Sequence, residues 1–146
     1  MTKRDSVSFA TTLHVRDHCL CLHTQRAARA LARHFDSALA PVGITNGQFS
    51  LLMSLNRPEP PAMGDVARLL AMDRTTLTAA LKPLERRGLL RVATDKQDRR
   101  ARRLILTAAG HKTLAAALPI WRREHATVEK LLNNPDQTRA DLMLLS

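Results

Sequence analysis

The stretch that most constrains the fold is "MDRTTLTAALKPLERRGLLRVATDKQDRRARRLILT", residues 72–107. Asp73 is a helix N-cap whose carboxylate can accept from the backbone N–H of Thr75 or Thr76, and Gly88 is the residue type that closes a helix in the left-handed conformation. A helix over Arg74 to Arg87 puts Leu77, Leu81 and Leu84 on one side, facing a core. Pro83 forfeits one hydrogen bond in that helix and is expected to kink its last turn. Upstream, a short helix over Gly64 to Leu70 lies three or four residues away, which makes a helix-turn-helix. Downstream, "LLRVAT" and "RRLILT" read as short strands around the polar loop "DKQDRRA", a two-stranded wing.

The flanks read as helices. From Asp17 to Ala40, Leu20, Ala27, Ala28, Leu31, Phe35, Ala38 and Leu39 share one side at helical spacing, with Arg26, Arg29 and Arg33 on the other. "PVG" stops that helix, and "TNGQ" at 45–48 is a capping box that opens a second helix to Asn56. Thr107 caps a further helix to about Leu132 carrying Leu114, Leu118, Trp121, Val128 and Leu131, with a bend expected at Pro119. Asn134 with Pro135 at the first helical position opens a last amphipathic helix. The fold class is mainly α: a winged helix-turn-helix lobe with flanking N- and C-terminal helices.

The charge points to a polyanion. Twenty-three Lys and Arg against 13 Asp and Glu give a net +10 in 146 residues, and 18 of the basic residues are Arg. Between Arg57 and Arg103 there are 12 basic and 6 acidic residues, so the excess is concentrated where the helix-turn-helix and wing lie. No apolar run resembles a signal peptide or approaches the roughly 18 residues of a membrane span, so the expected location is the cytoplasm, with no membrane partner. Five glycines and four glutamates leave little catalytic material. No nucleophile–base pair, phosphate-cradling loop or paired-carboxylate motif is present, so neither enzymatic activity nor a cofactor is expected.

The order of elements, with "DRTTLTAALKPLERRGLLRVATDKQDRRARRLILTAAG", resembles the MarR family of winged-helix transcription regulators from about Asp17 to Leu132. The resemblance implies a single MarR-type domain over residues 1–146, with dimerisation helices at 17–40 and 108–146 and a winged-helix lobe at 45–106. It further implies a homodimer on a pseudo-palindromic double-stranded DNA operator, a repressor released by a small effector that is often aromatic and anionic. Pockets in such regulators draw on the first, second and fifth helices, which makes His23, Arg26 and Trp121 candidate ligand contacts.

Opposite the leucines, the helix after Asp73 presents Thr75, Thr78, Ala79, Lys82 and Arg86, with Arg74 at its start. Small and hydroxylated side chains allow close approach to base edges, and Arg74 can pair with a guanine or a phosphate. The wing matches the family pattern at Asp98-x-Arg100, in which the acid braces the loop and the arginine reaches a minor groove. Arg99 is adjacent and can exchange roles with Arg100. Arg102 and Arg103 alternate along the strand, so one of them, assigned as Arg102, faces phosphates.

"HCLCLH" at 18–23 gathers both cysteines with two histidines. On one continuous helix His18 and Cys21 point roughly 150° away from Cys19 and His23, so the four cannot enclose a metal ion, and none is expected. An i, i+2 disulfide fails for the same reason. The wheel puts Cys21 at the edge of the apolar stripe, in a packing role, and Cys19 on the polar side. The alternative is a thiol-based peroxide sensor of the OhrR branch of the family, whose reactive cysteine matches Cys21. That branch supports its sulfur with tyrosine hydroxyls, and this chain has no Tyr.

Overall fold

The computed structural model of the chain describes residues 6–146. In order it contains α1 (Phe9–His18), α2 (Leu20–Leu39), a 3-10 turn (Ala40–Val42), α3 (Asn46–Leu55), α4 (Met63–Leu69), α5 (Arg74–Arg86), β1 (Leu90–Thr94), β2 (Arg102–Leu106), α6 (Ala108–Glu129) and α7 (Pro135–Leu144). The chain divides into two compact units, one ending at His34 and one running from Phe35 to Ser146. No helix among the described residues is long and apolar enough to cross a membrane.

The first unit departs from the sequence reading. A helix precedes the expected one: α1 opens at Ser8, whose Oγ accepts from the Thr11 N–H at 3.1 Å, and buries no residue, so it had no apolar stripe to announce it. Helix α2 then starts at Leu20 rather than Asp17. Between them Cys19 leaves the helical region (φ −70°, ψ 108°) and serves both helices. Its N–H donates to the Val15 carbonyl at 2.9 Å, while its Sγ accepts from the Leu22 N–H at 3.4 Å. A sulfur thus takes the place usually held by a capping hydroxyl. Of the expected apolar stripe on α2 only Leu39 is buried; Leu20 and Leu31 are 69% and 42% exposed.

In the second unit, Thr45 and Gln48 form the expected capping box at the start of α3. Asp36 adds a second tie there, its Oδ1 accepting from the backbone N–H and the Nδ2 of Asn46 at 2.7 and 2.8 Å. Leu51, Leu52 and Leu55 of α3, Val66 of α4, Leu77, Leu81 and Leu84 of α5, Leu90 and Leu104 of the sheet and Leu114 of α6 form one buried core. Each buried leucine contributes about 1.5–3 kcal/mol over leaving it in water. Helices α5 and α6 continue past Pro83 and Pro119 to Arg86 and Glu129.

The turn between α4 and α5 contains Ala71 at φ 51°, a left-handed residue that is not glycine. The Met72 N–H behind it donates to the Ala67 carbonyl at 2.9 Å. Strands β1 and β2 pair antiparallel, with Leu90 opposite Leu106, Val92 opposite Leu104 and Thr94 opposite Arg102. A further extended segment lies against β2: Ala62 pairs with Arg103, and the Leu104 N–H donates to the Pro61 carbonyl at 3.0 Å. Helix α7 opens with Asn134 Oδ1 accepting from the Gln137 N–H at 3.1 Å, and buries nothing; Met143 and Leu144 are 74% and 85% exposed.

Gly110, in the first turn of α6, marks the tightest approach in the lobe. A Cβ there would lie 2.1 Å from the Leu89 carbonyl oxygen, which is backbone and cannot swing away, whereas a Cβ at Gly47 would meet nothing nearer than 4.0 Å. Gly110→Ala should therefore destabilise the protein by about 3 kcal/mol, and Gly47→Ala should be neutral or slightly stabilising. Chemical denaturation of both variants measures the difference.

Candidate nucleic-acid interface

Burial of Leu77, Leu81 and Leu84 fixes the rotation of α5, and the opposite face is left in solvent. On that face Arg74, Thr75, Thr78, Ala79 and Lys82 line one shallow concavity of about 330 Å³, and Arg86 is exposed one turn beyond Lys82. The start of the helix is firmly set. Asp73 Oδ1 accepts from the Thr76 N–H at 2.7 Å and Oδ2 from the Thr76 hydroxyl at 2.9 Å, so Thr76 serves the helix terminus. The Thr78 hydroxyl donates to the Arg74 carbonyl at 2.8 Å, so an exposed side chain is left with an apolar methyl and an oxygen that can still accept. That combination suits a thymine methyl or an exocyclic amine on a base edge.

The wing loop is held from within. The Asp95 N–H donates to the Ala101 carbonyl at 3.0 Å, and the Ala101 N–H to the Asp98 carbonyl at 3.0 Å. Asp98 Oδ1 accepts from the Arg100 N–H at 3.0 Å, which presents Arg100 at the tip beside Arg99. Arg102 lies exposed at the edge of the sheet, its Nη1 donating to the Arg99 carbonyl at 3.3 Å and the Thr94 hydroxyl at 3.4 Å. Among the described residues Arg74, Lys82, Arg86, Arg99 and Arg100 take part in no ion pair, so their charge is available to an external anion.

The bracing acid in the sequence reading was Asp98; Asp95 does more. Its Oδ1 accepts from the Gln97 N–H at 2.8 Å and its Oδ2 from Arg103 Nε at 2.7 Å. Spacing alone hid this, because residues eight apart meet only after the hairpin has folded. Glu85 was also missed: its Oε2 accepts from the Val92 N–H at 3.0 Å and ties α5 to β1. An acid seven residues before an alternating strand carries no motif.

The remaining candidates divide between the two units. His23 and Arg26 are exposed on α2 in the first unit. Trp121, on α6 in the second, stacks on His125 at 4.5 Å between ring centroids and lies 6.1 Å from Phe49. Cys21 is exposed and Cys19 half-buried; Cys21 shares α2 with the expected stripe, whose Leu20 and Leu31 are themselves exposed in the single chain, while the helix break takes Cys19 off that wheel. Cys21 Sγ accepts from Gln25 Nε2 at 3.2 Å, and no tyrosine hydroxyl supports it. Among the described residues no three His, Cys, Asp or Glu converge to hold a metal.

The residue pattern matches known proteins. The sequence profile of the MarR family matches residues 44–101. The regulator MosR of Mycobacterium tuberculosis, solved in complex with DNA, is 38% identical and superposes with a TM-score of 0.82 over 88% of this chain and 93% of its own. The chain belongs to the MarR family. The repressor CouR bound to a 23-mer DNA duplex is 31% identical, with a TM-score of 0.75 over 90% of this chain and 92% of its own. The transcriptional activatory protein BadR of Rhodopseudomonas palustris is 33% identical over 88 residues, 58% of this chain and 50% of BadR. The chain thus spans about half the length of the first curated relatives it matches.

Two carboxyls at this surface sit below the ordinary range. Asp73 is lowered by the Thr76 N–H and hydroxyl, and Asp95 by the Gln97 N–H and then by Arg103. A carboxyl depressed by folding stabilises the native state above its unfolded value of about 4, and that contribution is lost as pH falls through the lower folded value. Stability should therefore decline below about pH 4, and Asp73→Ala or Asp95→Ala should flatten that acid limb. Urea midpoints between neutral and acid pH check this.

Proposed function

We propose that this protein is a DNA-binding transcriptional regulator that acts in the cytoplasm as a homodimer, a repressor on a pseudo-palindromic operator. The observation that carries the reading is the joint exposure of Arg74, Thr75, Thr78, Ala79 and Lys82 on α5 with Arg99 and Arg100 at the wing tip. One set suits base edges in a major groove; the other supplies guanidinium to a narrow minor groove. Asp98 shapes the tip, and Arg86 and Arg102 add charge for phosphates. MosR and CouR, both more than 30% identical, are described in complex with DNA.

The homodimer is supported by apolar surface at both ends of the chain. Leu20, Met143 and Leu144 are 69%, 74% and 85% exposed, more than a lone chain usually leaves in water on its terminal helices. In this reading helices within 17–40 and 108–146 bury that surface across a two-fold axis, and 45–106 is the DNA-binding lobe. A small aromatic or anionic effector is supported by CouR, whose structure with p-coumaroyl-CoA has 27% identity and a TM-score of 0.75. His23, Arg26 and Trp121 are the side chains proposed to meet such a ligand.

Arg100→Ala should weaken binding to all duplexes about equally, whereas Thr75→Ala and Thr78→Ala should alter the preferred sequence, as selection from a random duplex library would show. Affinity should fall steeply with salt, with a logarithmic slope that shrinks by about 1 for each phosphate-contacting cation removed. A flat salt response overturns DNA as the partner. Deleting residues 135–146 should weaken dimer and DNA binding together; a stable full-length monomer by sedimentation at micromolar concentration overturns the assembly.

A further inference from the structure

Arg103, the strand residue not assigned to phosphates, joins segments of the lobe that lie far apart in sequence. Its Nε donates to Asp95 Oδ2 at 2.7 Å, at the base of the wing loop, and its Nη1 donates to the Pro60 carbonyl at 3.2 Å. Its backbone pairs with Ala62, which is the N-cap residue of α4. The next residue, Leu104, donates its N–H to the Pro61 carbonyl at 3.0 Å. One arginine therefore links the wing loop, the segment 60–62 and the entrance to the helix-turn-helix.

Asp95 is fitted to its half of this arrangement. Its side chain is 12% exposed, against 42% for Arg103, and the carboxylate is divided between the two jobs: Oδ1 takes the loop N–H groups and Oδ2 takes the guanidinium. A carboxylate already committed to backbone donors holds a guanidinium in one direction. This is unlike a pair of long side chains free in solvent, whose worth is close to nothing.

We propose that Asp95 and Arg103 are positioning residues for DNA recognition: they hold the wing at the angle that brings Arg99 and Arg100 to the minor groove while α5 occupies the major groove. Neither residue needs to touch the nucleic acid. Without the tie the loop keeps its internal hydrogen bonds at Asp98 and Ala101, so the tip stays formed. What it loses is the guanidinium bridge from Asp95 to the Pro60 carbonyl; β2 stays tied to residues 61 and 62 through backbone, and the loop beyond it is freed. A tip free to swing pays an ordering cost on binding that the braced tip has already met.

This inference rests on the DNA-binding reading, and the experiment separates the two. The wild-type chain is used to select a roughly 30-base-pair duplex from a randomised library, long enough for two half-sites a helical turn apart. That duplex then serves as probe for Arg103→Met, Arg103→Lys and Asp95→Asn, each also in a background carrying Arg99→Ala with Arg100→Ala. Expected is a loss of roughly tenfold in affinity for Arg103→Met and Asp95→Asn, partial rescue by Arg103→Lys, and no further loss in the background that lacks both tip arginines. Hydroxyl-radical footprints, which read the deoxyriboses lining the minor groove, should lose the wing's protection, while protection of guanine N7 from dimethyl sulfate in the major groove should be kept.

If no duplex is selected, the DNA-binding reading fails and this inference falls with it. If wild type binds but the variants bind equally well, or if their losses add fully to those of the tip arginines, the positioning role is wrong. A uniform loss of all protections in a destabilised variant also overturns it. Asp95→Asn keeps an oxygen for the Gln97 N–H and so separates loss of the tie from loss of the loop.

Discussion

The seat of α5 in the leucine core is the constraint on which the remaining geometry depends. Leu77, Leu81 and Leu84 occupy one side of a helix whose turns are 3.6 residues, so once they are buried against Val66, Leu90 and Leu104 the outward face has no rotational freedom left. The same three leucines therefore decide that Thr75, Thr78, Ala79 and Lys82 share a surface. Removing any one leaves a cavity and costs about 2–5 kcal/mol, but the functional cost is larger than stability alone indicates. A helix rotated by one position presents a different set of side chains to any partner.

Electrostatics builds on that seat rather than competing with it. Four of the six carboxylates between residues 45 and 106 accept from backbone N–H groups: Asp73 from Thr76, Glu85 from Val92, Asp95 from Gln97 and Asp98 from Arg100. Their charge is spent at helix starts and strand edges, where backbone N–H groups need acceptors. None of these carboxylates neutralises Arg74, Lys82 or Arg86 on α5 or Arg99 and Arg100 at the wing tip, which take part in no ion pair among the described residues. A net charge of +10 alone describes solubility and nonspecific attraction; its arrangement gives direction to it.

How much was legible in the sequence follows from the range of the interactions involved. Local ones were readable: the Asp73 cap, the Thr45–Gln48 box, the Asn134–Pro135 start and the period of the leucines all act within four residues, and each appears in the structure. The wing hairpin was readable because its strands and loop are adjacent. The misses are of two kinds. Helix α1 and the break at Cys19 depend on a weak sulfur cap and on a helix with no buried residue, where neither capping chemistry nor periodicity is strong. Asp95, Arg103, Glu85 and the 60–62 segment depend on contacts across seven to more than forty positions, which no local pattern encodes.

Ala71 offers a consequence of another sort. A left-handed turn is usually given to glycine, which reaches it without a steric cost and leaves it as readily. Alanine at φ 51° has far fewer alternatives nearby, and the Met72 N–H bonded back to Ala67 closes the ones that remain. The joint between α4 and α5 is thus a rigid elbow rather than a hinge. In the proposed dimer, motion that changes the spacing of the two α5 helices carries each lobe as a block, so variants with altered operator spacing are to be sought outside this turn.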